Sequence, residues 1–291
     1  MRRNLLIALG LLVAAAAGGG WVLTTPDTVD PADFAGLTGD TDRGAVVFHA
    51  AGCASCHTAP KAEPSDAPVL SGGRAFVSAF GTFYAPNISS DPAQGIGGWS
   101  VTDLANAMMR GTSPDGRHYY PAFPYTTYVR TTPQDVTDLH GFLQTLPADT
   151  TPSRAHDVGF PFNIRRSLGG WKLLFFRQDW VTPATDNQRG RYLVEALGHC
   201  GECHTPRNAL GGLEYSSWLG GAPNPTGRGT IPNLTPAKLD WSTPDLIEYF
   251  TSGFTPEFDS AGGEMAEVVQ NLAKLPPEDR QAIAAYLKAL P

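Results

Sequence analysis

Charge is scarce in this 291-residue chain. Asp, Glu, Lys and Arg make up 17% of it, 21 basic residues stand against 28 acidic ones, and the formal charge is −7. There is no Lys/Arg-rich run, so the electrostatic footprint of a nucleic-acid binder is missing and nucleic acid is excluded as a partner. Uninterrupted helical patterning is missing as well. The 32 glycines and 25 prolines break the backbone into turns and rule out long bundles and coiled coils. No uncharged run of 18 residues follows residue 25, and cysteine is limited to four residues. What remains is a loop-rich chain long enough for two or three domains, whose centres need something besides side chains to fill them.

The one long apolar run is N-terminal. Residues 5–25 carry no charge and follow Arg2 and Arg3. As a helix, Leu5 to Leu23 would extend about 28 Å, close to the hydrocarbon thickness of a bilayer. Ala15-Ala16-Ala17 offers a small-residue cleavage site, which keeps a signal peptide open. The run continues to Trp21, however, and a tryptophan suits the far membrane interface, so residues 1–25 read as an uncleaved anchor. In both readings the arginines stay in the cytoplasm and the rest is exported. Residues 26–37, with Pro26, Asp27, Asp30, Pro31 and Asp33, read as a tether.

Export to an oxidising compartment makes disulfides the natural use of four cysteines. Their spacing argues otherwise. They occur as Cys53-Ala54-Ser55-Cys56-His57 and Cys200-Gly201-Glu202-Cys203-His204, so each belongs to a C-x-x-C-H pentapeptide, the attachment signature of c-type haem. A zinc ribbon also uses C-x-x-C pairs, but not some 140 residues apart and each followed at once by histidine. Two thiols three positions apart on a helical turn reach two carbons on one haem edge, and the adjoining imidazole points at the iron. Cys53, Cys56 and His57, with Cys200, Cys203 and His204, therefore predict two covalently bound haem c groups. The flat apolar macrocycle is the missing core.

The chain is also a duplication. Arg43-Gly44 precedes the first motif and Arg189-Gly190 the second, each on a short helix running into its cysteines. Pro86-Asn87-Ile88 begins 33 residues after Cys53, and Pro232-Asn233-Leu234 begins 32 after Cys200. Trp99-Ser100 and Trp241-Ser242 each precede an aspartate three residues beyond the serine, a shortened capping box that starts a helix ended by Gly111 or Gly253. Proline-started helices, Pro133 to Leu146 and Pro277 to Leu290, close the repeats. The expected fold is all-α, with two tandem domains over 38–148 and 186–291. Residues 149–185, rich in Phe160, Phe162, Trp171, Phe175, Phe176 and Trp180, are expected to pack between or across them, since a free linker would be polar.

A sixth iron ligand is expected from the loop between the last two helices of each repeat. In the second repeat that loop holds one methionine, Met265, 12 residues after Gly253; a thioether favours ferrous iron and raises its potential. The same count from Gly111 lands on Phe123, which cannot bind iron. His118 is the loop's one imidazole and the first candidate for haem 1, Met108 and Met109 are alternatives, and an open or water-bound position remains. His49, His140, His156 and His199 read as surface or propionate-facing residues.

Tyr84-Ala85-Pro86-Asn87-Ile88, Gly95-Ile96-Gly97-Gly98-Trp99-Ser100, Ser113-Pro114-Asp115-Gly116, Tyr120-Pro121-Ala122-Phe123-Pro124-Tyr125 and the stretch from Gly198 to Asn208 resemble the cytochrome c subunits of periplasmic alcohol, aldehyde and gluconate dehydrogenases. Similarity runs from about residue 40 onward. It implies class I cytochrome c folds on the periplasmic side of a bacterial inner membrane. It also implies electron transfer from a dehydrogenase toward quinone, an oxidase or a soluble cytochrome. Two departures stand out: many members carry three haems, and often methionine where Phe123 stands. Beside this carrier reading stand a dihaem enzyme, of peroxidase or thiosulfate dehydrogenase type, with an open or displaceable ligand at haem 1, and a gas-sensing or assembly protein.

Overall fold

In the computed structural model, which describes residues 2–63, 65–184, 186–225 and 229–291, the N-terminal run forms one helix, α1 (Arg2–Leu23). It is long and apolar enough to cross a membrane, and its large apolar side chains all face outward. The side chains of Arg3 and Ala17, and the segment boundary expected at residue 185, lie outside the described residues.

The first half contains α2 (Thr41–Ala50), α3 (Cys53–His57), α4 (Val101–Ala105), α5 (Tyr125–Tyr128) and α6 (Pro133–Leu143). After α7 (Ser167–Phe175) the second half contains α8 (Gln188–Tyr192), α9 (Gly201–His204), α10 (Thr243–Ser252), α11 (Glu264–Leu272) and α12 (Pro277–Lys288). Both capping boxes form: the Ser100 and Ser242 hydroxyls accept from the Asp103 and Asp245 amides, whose carboxylates reach back to the serine amides. The first capped helix continues from α4 as a π turn over Asn106–Arg110, and Gly111 and Gly253 stop the two helices at φ 58° and 83°, the left-handed region where a side chain is strained. The closing helices end at Leu143 and Lys288, short of Leu146 and Leu290.

The all-α expectation needs one correction. One small antiparallel strand pair lies between each haem motif and its capped helix: β1 (Ala75–Ser78) with β2 (Gly81–Tyr84), and β3 (Ala222–Pro223) with β4 (Thr230–Ile231). Two to four residues are too few for an alternating pattern to declare itself.

The Arg-Gly pair of each repeat has a packing reason. A Cβ on Gly44 would lie 2.2 Å from the Asp138 carbonyl oxygen, and one on Gly190 2.1 Å from that of Ala282. Both carbonyls stand five residues after the helix-starting proline. Close backbone approach brings the preceding arginines onto carboxylates of the same helices. Arg43 donates to Asp138 at 2.8 and 3.0 Å, and Arg189 to Asp279 at 2.7 and 2.6 Å.

The two halves share one apolar core, in which Phe48, Val136 and Leu139 join Leu193, Leu197, Leu246 and Leu287. Residues 149–185 touch both. His156 accepts from the Tyr84 amide at 3.1 Å, the Asp179 carbonyl accepts from Arg130, and the Val181 and Thr182 amides donate to Glu195. The expected tether lies against the first half. Val29 is buried and its amide donates to Asn106 Oδ1 at 2.8 Å, while the Asp27 carbonyl accepts from Thr112 Oγ1 at 2.7 Å.

Candidate functional site

Each C-x-x-C-H pentapeptide forms a short helix entered through a left-handed residue, Gly52 at φ 60° before Cys53 and His199 at φ 42° before Cys200. Glycine takes that conformation freely; histidine needs a tether. His199 has one: its Nε2 donates to the Ala51 carbonyl at 3.2 Å. Tyr128 Oη donates to the same carbonyl at 3.1 Å and sets its ring edge-on to the imidazole.

Both motif histidines are held alike. Nδ1 of His57 donates to the Pro86 carbonyl at 2.9 Å and Nδ1 of His204 to the Pro232 carbonyl at 2.8 Å, each the first residue of the repeated P-N-I/L triplet. A proton on Nδ1 leaves the lone pair on Nε2, the metal-ligating form. Burial lowers the pKa of both imidazoles, which favours the neutral form, with the proline carbonyls opposing it. None of the four cysteines is paired in a disulfide. Burial pushes Cys53 and Cys200 up to about 12, and Cys56 and Cys203 to about 11. Paired neutral thiols one turn apart beside an imidazole with a free Nε2 fit covalent haem on both motifs.

The two motifs also lean on each other's halves, which the repeat did not announce. The third position of each pentapeptide reaches across: Ser55 Oγ accepts from Asn271 Nδ2 at 2.9 Å, and Glu202 Oε1 accepts from the Thr126 and Thr127 hydroxyls at 2.8 and 2.7 Å. Burial would raise the Glu202 carboxyl, but Arg207 and the two threonines outweigh it and hold it below the usual range. Arg74 completes the crossing. It donates to the Ser55 carbonyl and to Glu267 Oε2, both at 2.5 Å, and pairs with Glu264 at 3.5 Å. Met265, half-buried at the start of α11, thus sits between two carboxylates that the first half holds.

The expectation for His118 meets a different geometry. Its Nε2 bonds the Thr24 carbonyl at 2.9 Å, and its Nδ1 is enclosed with no partner. Neither nitrogen faces open space. Met108 is buried three residues before Gly111, where the second repeat buries Phe250 three residues before Gly253, so packing accounts for it. Met109, half-buried, has exposed Thr251 as its counterpart and no such packing equivalent. Phe123 packs against the core beside Tyr128. The remaining histidines are half-buried: His140 bonds the Trp99 carbonyl at 2.8 Å, His156 joins an aromatic cluster with Phe83 and Tyr120, and His49 buries its Nδ1.

Residues 41–147 match the family model described as cytochrome c. Over its whole length the chain is 58% identical to 99% of a diheme cytochrome c-type protein of Cereibacter sphaeroides. Across 86% of its length it is 40% identical to the fructose dehydrogenase cytochrome subunit of Gluconobacter japonicus, and 32% identical to the cytochrome c subunit of a quinone alcohol dehydrogenase from Gluconobacter oxydans. It spans 52% and 54% of those two subunits.

Proposed function

The chain belongs to the cytochrome c family, and on that premise we propose that it is a membrane-anchored dihaem cytochrome carrying electrons from a periplasmic dehydrogenase toward the respiratory chain. The observation that carries this is the matched pair of thiol-and-imidazole helices, each with Nε2 left free by a proline carbonyl. Cys53 and Cys56 hold one haem c with His57 on its iron; Cys200, Cys203 and His204 hold the other. Haem c, when bound, supplies one-electron exchange at iron. Met265 closes the second iron to substrates and favours its ferrous state. For the first iron we assign the sixth position to Met109, a half-buried thioether at the core's edge whose counterpart in the second repeat, Thr251, is exposed. Helix α1 anchors the chain, and the folded halves lie on the periplasmic side.

Phe123, standing where the second repeat has Met265, favours a second reading, a dihaem enzyme with an open first iron. Full-length protein extracted in detergent separates the two. A carrier has a mass exceeding the polypeptide by two haem groups and a low-spin spectrum insensitive to carbon monoxide. A high-spin component that shifts with carbon monoxide makes it the enzyme, and bound zinc without a Soret band ends both.

A further inference from the structure

The end of α1 is seated in the folded body. A Cβ on Gly169 of α7 would lie 2.4 Å from the Thr24 carbonyl oxygen, the same oxygen that bonds His118. Arg166 lies over the Trp21 ring at 4.2 Å, bonds the Trp21 carbonyl and donates to Thr25 Oγ1 at 3.1 Å. Arg165 donates to the His118 carbonyl at 3.0 Å. Whatever plane α1 emerges from, residues 160–176 lie beside it.

Around this junction large apolar side chains stand exposed: Phe160 at 81%, Leu173 at 62% and Leu174 at 65%, with Phe162, Ile164 and Leu210 beside them. Leu173 is one turn along α7 from Gly169, on the face that meets Thr24. Leu210 is joined to the same helix through its carbonyl, which accepts from Trp171 Nε1 at 2.9 Å. Residues 160–178 hold no acidic residue in a chain of net charge −7; of their cations Arg177 is exposed and Arg165 and Arg166 are half-buried, while the Lys172 ammonium turns inward to the Arg110 and Gly111 carbonyls. A contiguous apolar patch on a folded surface marks an interaction site, and a basic rim on such a patch matches an anionic lipid surface.

We propose that this face is a second membrane contact. The 160–164 loop and α7 lie in the interfacial layer of an anionic bilayer beside the emerging α1, with Phe160, Leu173 and Leu174 among the acyl chains. The contact rests on the reading of α1 as an anchor and adds to it. A body held at two places sits flush with the membrane, at a fixed height for membrane-bound partners.

The test uses the full chain reconstituted into phosphatidylethanolamine–phosphatidylglycerol vesicles containing a phospholipid with a diazirine at the end of one acyl chain, followed by peptide mass mapping. Adducts are expected on 160–164 and 173–174 as well as on 5–23. The double variant Leu173→Glu, Leu174→Glu, checked for an unchanged Soret spectrum, should lower the 160–164 and 173–174 adducts severalfold and leave those on 5–23 intact. Adducts on 5–23 alone overturn the contact, hand the face to a protein partner and leave the anchor standing. Undiminished adducts in the double variant also overturn it. Adducts on neither segment, with the protein in the supernatant, overturn the anchor and the contact together.

Discussion

Asn271 in the second half donates through Nδ2 to Ser55 Oγ, 2.9 Å away, inside the haem motif of the first half. The counterpart bond runs the other way, from Thr126 and Thr127 of the first half to Glu202 in the second motif. Because both crossings end on the third pentapeptide position, each motif is positioned partly by the other repeat.

The crossing predicts that the halves unfold together. Arg74→Ala strips Ser55, Glu264 and Glu267 of a shared donor and should cost about 2 kcal/mol of stability. Asn271→Ala should cost about 1 kcal/mol. Denaturant unfolding followed at both haem absorption and tryptophan fluorescence checks this. Two separated transitions in wild type would show the halves to be independent.

Gly44→Ala and Gly190→Ala should each destabilise by roughly 2–3 kcal/mol, the cost of overpacking, although alanine favours a helix over glycine by about 1 kcal/mol. The carbonyl facing each site is backbone and cannot rotate away. A stabilised alanine variant at either site would contradict the close crossing.

Asp138 gives a pH dependence. Burial alone would raise its carboxyl, but Arg43, the Asp40 amide and Gln134 outweigh burial and hold it below the usual carboxylate range. A depressed carboxyl contributes stability that is complete above its unfolded pKa, about 4, and is lost as pH falls through the lower folded value. Asp138→Asn should therefore cost about 2 kcal/mol near neutral pH, with that difference shrinking only below about pH 4. Stability measured by urea unfolding across a pH series shows whether the loss sits there or nearer neutrality.

Met265→Ala should remove a sulfur-to-iron charge-transfer band and lower one reduction potential while leaving the other nearly unchanged, because the thioether serves the second iron only. Met109→Ala should do the same for the first iron, and His118→Ala should leave both low-spin electron paramagnetic resonance signals in place. A bis-imidazole signal in wild type that vanishes in His118→Ala would return the ligand to His118.

The sequence alone determined what local chemistry determines. Two C-x-x-C-H pentapeptides need no tertiary information to declare their cofactor. The capping boxes at Ser100 and Ser242 are bonds over three residues, and a 20-residue apolar helix is a matter of length and composition. Tertiary structure decided whatever depends on residues distant in the chain. It drew His118 onto Thr24, 94 residues away in sequence, and brought Arg74 to Glu267, 193 away. It also turned the 26–37 tether into a packed segment. A histidine or arginine has the same appearance in sequence whichever carbonyl or carboxylate it finds. Its partner is set by how two repeats with one shared core pack, and that packing follows from close contacts such as Gly44 on Asp138 and Gly190 on Ala282, where the absence of a side chain lets backbones touch.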